Sequence, residues 1–399
     1  MKTSRFGFAS KRAASFLPLV LAMAAAGCGG SSDWCVEWDP TGHGHGKWDH
    51  PAKPDHPPPP PADPGPPQAT GLALIAGDQC SQCGGSADGT GSNARFNGAE
   101  GVAADGSGNL YVAERVGAAV RKVTTQGVAT TLAGSFGQEG SADGVGGAAR
   151  FRNPTRLAAD SAGNVYVTDT GNSTIRKISP AGSVTTLAGQ VGACGTTDGG
   201  GTLAQFCNPQ GIALDQAGNL FIADTRNHTI RKIDPSGLVT TVAGHAGTCG
   251  SADGAAANAM FCEPRDITVD RWNNVYVADT GNSTIRMIDP KGQVTTLAGA
   301  PGVCSSADGA GSAARFCSAS GITVDSMDNL YVADTGNSTI RRIDVNNVVS
   351  TVAGVAQQHG VVLGPLPGGL DAPIGITMES DASVALTSRN LVLRLVPPK

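Results

Sequence analysis

The side chains able to do chemistry in this 399-residue chain fall into two kinds, those that recur at a fixed spacing and those that interrupt it. Asp105, Asp160, Asp215, Asp270 and Asp325 recur every 55 residues, as do Asp88, Asp143, Asp198, Asp253 and Asp308 in Asp-Gly dipeptides, and Asp169, Asp224, Asp279 and Asp334. Lone carboxylates spread in this way make poor calcium sites, since that ion takes about six to eight oxygens. Asp and Asp-Gly are turn formers, because the carboxylate accepts hydrogen bonds from its own backbone. Arg176, Arg231, Arg286 and Arg341 recur too and are expected to pair with carboxylates inside each unit. A group kept in four or five copies serves the unit rather than one substrate. The interruptions are more informative: Glu100, Arg156, Gln210, Arg265 with Asp266, and Ser320 near one phase, and Glu114, Arg115, Arg226 and His228 near another. Such a mixed set of acids, bases and amides suits recognition of a polar ligand, a peptide or a glycan. The plainer alternative is drift at exposed positions.

The thiols point to structure. Cys194 and Cys207, Cys249 and Cys262, and Cys304 and Cys317 are each 13 apart and keep the 55-residue step, which predicts three local disulfides. Closing so short a loop stabilises by about 3 kcal/mol in the chain-entropy model. Zinc would need four ligands, and no loop offers a third beyond His245. Cys80 and Cys83 form a C-x-x-C pair without the βαβ surroundings of a redox centre, so a structural bond is favoured, and Cys35 is left over unless it takes one of them. His43, His45, His50 and His56 lie among Asp49 and Asp55, where no scaffold fixes metal geometry; a solvated linker is the simpler reading. No resident metal or cofactor is expected.

These groups must be positioned by β structure. The 56 glycines are about twice the usual share of ~7%, and aromatic residues make up only 5%. The net charge of −5 argues against a nucleic-acid partner, whose phosphates call for the opposite sign. Ala94, Ala149, Ala204, Ala259 and Ala314 open an A-x-F tag with no drift in its 55-residue step, the mark of an array of supersecondary units. In the unit from Ala204 onward, strands a to d are expected at 211–214, 220–223, 229–233 and 238–243, with turn residues between. Strand b is apolar at successive positions, so both its faces need cover. Six b tags and six d tags can be counted. The first d segment, 71–76, has no a, b or c before it, and the last unit, 374–396, stops after c. Together they complete one blade, giving an all-β, six-bladed propeller of four-stranded antiparallel blades closed by pairing of its N- and C-terminal segments.

The stretch 209–233, PQGIALDQAGNLFIADTRNHTIRKI, resembles the unit of the NHL-repeat family, with Asn227 and His228 at its naming motif. Three other units carry Asn-Ser there. The resemblance covers nearly everything after Gly71 and implies the six-bladed fold. It does not imply an activity, because the family includes binding modules, sensor domains and a few enzymes.

The first 27 residues read as an export signal, with Lys2, Arg5, Lys11 and Arg12 ahead of an apolar run over 16–26. Ala25-Ala26-Gly27-Cys28 resembles a bacterial lipobox, which implies cleavage before Cys28 and lipidation of that residue; Gly29 rather than Asp implies sorting to the outer membrane. A plain secretory signal is the alternative, and both lead to an oxidising compartment. Removing this segment takes Lys+Arg from 28 to 24 against 33 Asp+Glu, a mature charge of −9. Residues 28–68, with prolines at 57–61, form a Pro/Gly/His-rich tether that favours polyproline II, and 69–399 form the propeller. The expected function is an envelope lipoprotein that binds a protein or glycan at the channel mouth and has no catalytic residue. The alternative is a propeller lyase or lactone hydrolase with a metal in the channel. That needs converging carboxylates or histidines, whereas Glu100 and Asp266 are interrupted by Arg156 and Arg265, and His228, His245 and His359 fall at loop phases.

Overall fold

A computed structural model describes residues 70–78 and 85–398. Among these residues six antiparallel sheets follow one another as blades. In blade 3, strand a is Pro209–Leu214, b Leu220–Asp224, c Thr229–Ile233 and d Leu238–Ala243. Strands c and d have the expected bounds, while a starts two residues earlier and b ends one later. Strand a is Ala99–Ala104 in blade 1, Pro154–Ala159 in blade 2, Pro264–Val269 in blade 4 and Ala319–Val324 in blade 5. Blade 6 combines Pro373–Met378, Val384–Ser388 and Leu391–Val396 with Gly71–Ala76, which pairs antiparallel to the last of these from Gly71 opposite Val396. The ring is therefore sealed by its two terminal segments, as expected.

Apolar burial explains why the blades stand side by side. Every residue of strand b is buried in blade 3, so one sheet cannot satisfy it alone. Phe221, Ala223 and Ile230 of blade 3 pack with Ile267, Val275 and Val277 of blade 4 in one cluster. At the closure, Tyr331 and Ile340 of blade 5 meet Leu72, Ile376 and Leu393 of blade 6. Strand a is the innermost member of each sheet, and its first residues lie at the pole that carries the d-to-a and b-to-c loops, called here the top.

One feature exceeds four strands. In blades 1 to 5 the incoming loop adds a two-residue fifth strand outside d, such as Gly199–Gly200 against Leu238 and Val239. The Asp of the preceding Asp-Gly dipeptide holds it there: Asp198 accepts from the Thr241 N–H at 3.0 Å and hydroxyl at 3.1 Å. These dipeptides thus fasten the rim as well as bending the chain. The three expected disulfides, Cys194–Cys207, Cys249–Cys262 and Cys304–Cys317, are formed, each with Cα atoms 4.4 Å apart. Cys28, Cys35, Cys80 and Cys83 lie outside the described residues.

The repeated arginines are internal fasteners. Arg231 is buried, donates to Asp224 at 2.9 Å and Asp198 at 2.6 Å, and lies 5.1 Å over the ring of Phe206 from the A-x-F tag. Asp224 also accepts from the Cys207 N–H and from Asn227 of the naming motif, each at 2.7 Å. Burial pushes the carboxyls of Asp169, Asp224 and Asp279 up to about 6 despite these donors. Removing one member of such a buried pair costs about 3 to 5 kcal/mol, because it strands the other charge. Blade 1 uses different parts for the same task. Glu114 occupies the Asp phase and pairs with Arg121 at 2.9 Å, and Gly117 stands where blades 2 to 5 have Asn. A Cβ on Gly117 would come 2.6 Å from the Glu114 carboxylate, so the longer acid fills the room of the missing amide. Glu114 is therefore part of the blade rather than of a ligand-facing loop.

Candidate functional site

The residues that interrupt the repeat at the channel mouth occupy two adjacent phases of strand a. The outer phase reads Glu100, Thr155, Gln210, Arg265, Ser320 and Ile374, and the inner one Gly101, Arg156, Gly211, Asp266, Gly321 and Gly375. Glycine prevails in the inner ring because neighbouring strands almost touch. A Cβ on Gly321 would stand 2.3 Å from the Ile374 carbonyl oxygen, and one on Gly375 2.4 Å from that of Glu100.

The two side chains in that ring meet each other. Arg156 of blade 2 places Nε 3.3 Å from Asp266 Oδ2 of blade 4, with both side chains 6% exposed. Its Nη1 donates to the Glu100 carbonyl at 3.2 Å, and its Nη2 to the carbonyls of Ser320 and, at 3.2 Å, Ile374. Asp266 also accepts from the Ile322 N–H at 3.1 Å. Burial raises the Asp266 carboxyl above its ordinary range, opposed first by Arg156. This bridge touches five of the six blades and closes the channel, with a cavity of about 180 Å³ below it walled by residues such as Leu157, Ile212, Ile267 and Thr323. Ser320 is likewise buried, its hydroxyl bonded to that of Thr335. Arg156, Asp266 and Ser320 are thus engaged with the protein itself.

The rest of the set remains on the surface. Glu100 pairs with Arg115 at 3.5 Å. Gln210, Arg226, His228 and Arg265 gather at the top of the seam between blades 3 and 4, where the Thr225 hydroxyl donates to the Pro264 carbonyl at 2.8 Å and fixes the b-to-c loop of one blade on strand a of the next. Arg226 is exposed, and Gln210, His228 and Arg265 are half-buried. His228 caps a 3₁₀ turn with φ +59° and accepts the Glu263 N–H at Nδ1, 3.1 Å away. Arg115, Arg152 and Arg389 pair with carboxylates, whereas among the described residues Arg226 and Arg265 do not, and the buried Nε of Arg265 has no acceptor. The seam therefore presents two guanidinium groups with donors to spare.

A hydroxyl relay on blade 2 was missed by sequence reasoning. Thr155 bonds the hydroxyls of Thr168 and Thr170, which donate at 2.6 Å to the carbonyls of Gln210 and Pro209. Its signal was available: Thr168 stands where blades 1, 3, 4 and 5 have Ala.

Two catalytic arrangements can be tested against this geometry. Ser338, His359 and Asp371 converge at the top of blades 5 and 6, but the serine hydroxyl, at 3.0 Å, and the carboxylate, at 3.7 Å, both approach Nδ1 of His359. A base that takes the serine proton on one ring nitrogen and is oriented through the other is not assembled, and Ser338 is 0% exposed. For a metal, no group of three or more His, Cys, Asp or Glu is suitably placed among the described residues. The carboxylate in the channel, Asp266, already faces a guanidinium, which does not fit a resident cation.

A family model described as NHL repeat matches residues 151–178, 206–233, 261–286 and 316–343. Four blades of this six-bladed propeller are NHL repeats. The chain is 31% identical over 177 residues to NHL repeat-containing protein 2 of Bos taurus, which covers 41% of this chain and 24% of that protein. The match thus spans about a quarter of that relative's length. Its fold is similar to that of an auxiliary nutrient binding protein from Bacteroides thetaiotaomicron, with TM-score 0.62 and 15% identity over 83% of this chain and 77% of that one. It is also similar to that of a gluconolactonase from Xanthomonas campestris, with TM-score 0.53 and 13% identity over 82% and 89%. At these identities the likeness concerns the NHL-repeat propeller's fold and carries no activity.

Proposed function

We propose that this NHL-repeat propeller is a binding module of the bacterial cell envelope that takes a protein or glycan on its top face, at the seam of blades 3 and 4. The observation that carries the reading is the pair Arg226 and Arg265, left among the described residues without carboxylate partners beside His228 and Gln210, while the repeated Arg side chains are paired inside the blades. Guanidinium groups donate in a planar fork suited to carboxylates and other anionic groups. Export is supported by the three disulfides, which persist in oxidising compartments. The proposed organisation is a signal over 1–27, lipidation at Cys28, a tether over 28–68 and the propeller over 69–399.

The test compares the full chain with Arg226→Ala/Arg265→Ala for retention on immobilised envelope glycan and on purified outer-membrane protein. The expected result is at least about a tenfold loss of affinity, equivalent to about 1.4 kcal/mol, with an unchanged melting profile. Equal retention by the double variant removes the top seam as the site. Arg156 is unsuited to this test, since replacing it disturbs the channel bridge.

A further inference from the structure

At the opposite pole, the a-to-b turns of blades 4 and 5 and the c-to-d turn of blade 5 border a cavity of about 350 Å³ lined by Trp272, Asn274, Asp328, Asp344, Val345 and Asn347 among others. Several of these depart from the repeat together. Trp272 stands where other blades have Ser107, Ala162, Ala217, Met327 and Asp381, and Arg271 where they have Gly106, Ser161, Gln216, Ser326 and Ser380. On blade 5, Asp328 replaces the turn glycines Gly108, Gly163 and Gly218, Val345 replaces Pro180, Pro235 and Pro290, and Asn347 replaces Gly127, Gly182, Gly237 and Gly292. Departures from three separate turns thus meet in one place.

The indole is exposed and yet held. Trp272 is 63% exposed, which folding does not require of the largest apolar side chain. Its backbone N–H donates to Asp270 at 2.8 Å. Arg271 lies 5.2 Å over its ring and is itself pinned to blade 5, donating at 2.9 Å to the Ser326 carbonyl and to Asp328 Oδ2. A cation–π contact of this kind fixes one face of the ring and leaves the other as a preformed platform. Around the platform stand the Asn347 amide and the carboxylates of Asp328 and Asp344, one oxygen of each carboxylate already holding the Arg271 guanidinium and the Val348 N–H respectively, while the Asn274 amide donates to Asp270. A pyranose ring matches this lining: its C–H face stacks on an indole, and its edge offers adjacent hydroxyls to carboxylates and amides.

We propose that this bottom cavity is a carbohydrate-binding site with Trp272 as its stacking platform. It is a second site, independent of the top seam. Chain fluorescence gives a direct test, because the four tryptophans are Trp34, Trp38, Trp48 and Trp272. In the full chain with Trp34, Trp38 and Trp48 replaced by Phe, the remaining indole is the platform, and chitotetraose, cellotetraose and maltotetraose serve as probes. The expected result is a saturable change in emission with at least one probe. By titration calorimetry with that probe, Trp272→Ala weakens binding about tenfold or more and Trp272→Phe less. No saturable response to any of the three up to about 10 mM overturns the proposal. Undiminished binding by a folded Trp272→Ala variant also overturns it, as does saturable binding of choline in place of the sugars.

Discussion

Removing Arg156 should cost this protein the bridge that closes its channel, and the cost should depend on pH. The guanidinium is buried, gives hydrogen bonds to three carbonyl groups on blades 1, 5 and 6, and faces the Asp266 carboxylate at 3.3 Å. Arg156→Met leaves that carboxylate buried without its countercharge, at about 3 to 5 kcal/mol. For a domain of this size a loss of 1 kcal/mol lowers the melting temperature by about 2 °C, so the expected drop is about 6 to 10 °C near neutral pH. Asp266 already has a raised pKa, and Arg156 is the largest influence holding it down, so its loss raises it further. An acid whose folded pKa exceeds its unfolded one is stabilising when protonated. Stability of the variant must therefore fall as pH rises from the unfolded value of about 3.9 through the folded one, and the deficit narrows on acidification. Arg156→Met/Asp266→Asn removes both charges and should recover about half or more of the loss. The assay is differential scanning calorimetry of both variants at about pH 5 and pH 7.5. Strictly additive losses, or a deficit that widens on acidification, would refute a cross-channel ion pair.

Two further outcomes follow from the blades. The carboxyls of Asp169, Asp224 and Asp279 are raised to about 6 from 3.8 by burial, so the folded chain binds more protons than the unfolded one between those values. The wild-type melting temperature should then rise as pH is lowered from about 7.5 to about 5, and decline only below about 4, where the lowered Asp105, Asp143 and Asp160 take up protons; a steady fall from neutrality in a calorimetric pH series contradicts this. In blade 1, Glu114→Asp should destabilise by about 1 to 2 kcal/mol by withdrawing the carboxylate from Ser86 and Arg121, and Gly117→Asn added to it should restore much of that loss, since the pair rebuilds the arrangement of the other blades. Urea unfolding of the single and double variants measures the recovery, and the absence of any coupling counts against the exchange of acid length for amide.

The contrast between what was and was not legible beforehand follows from symmetry. A feature repeated at 55-residue steps is averaged over five copies, so strands c and d, the sealing segment Gly71–Ala76 and the three disulfides could be placed from spacing alone. The fifth strand could not, because Gly199–Gly200 owes its pairing to Asp198 meeting Thr241, 43 residues away and on the same blade. Interruptions of the repeat mark singular positions without saying what they meet. Arg156 and Asp266 are both conspicuous at a glycine phase, yet their contact depends on reach across the ring, 110 positions apart in the chain. Glu114 likewise looked singular until Gly117 was considered with it, since one change compensates the other.

That distinction gives a rule for separating structural from ligand-directed departures in a repeat of this kind. A departure whose partner is another departure buried inside the fold, as with Arg156 and Asp266 or Glu114 and Gly117, preserves closure of the ring and leaves no group for a ligand, unlike the solvent-facing pair Arg271 and Asp328. A departure that leaves donors or an aromatic face in solvent stabilises the fold little and has to be explained from outside it. Arg226 and Arg265 belong to the second kind at the top, and Trp272, held by Arg271, belongs to it at the bottom. Both sets straddle a seam between neighbouring blades, where two different turns can diverge independently while the buried arginine of each blade keeps its own partners. Seams are thus the positions at which an array of near-identical units can acquire a specific surface without weakening the units themselves.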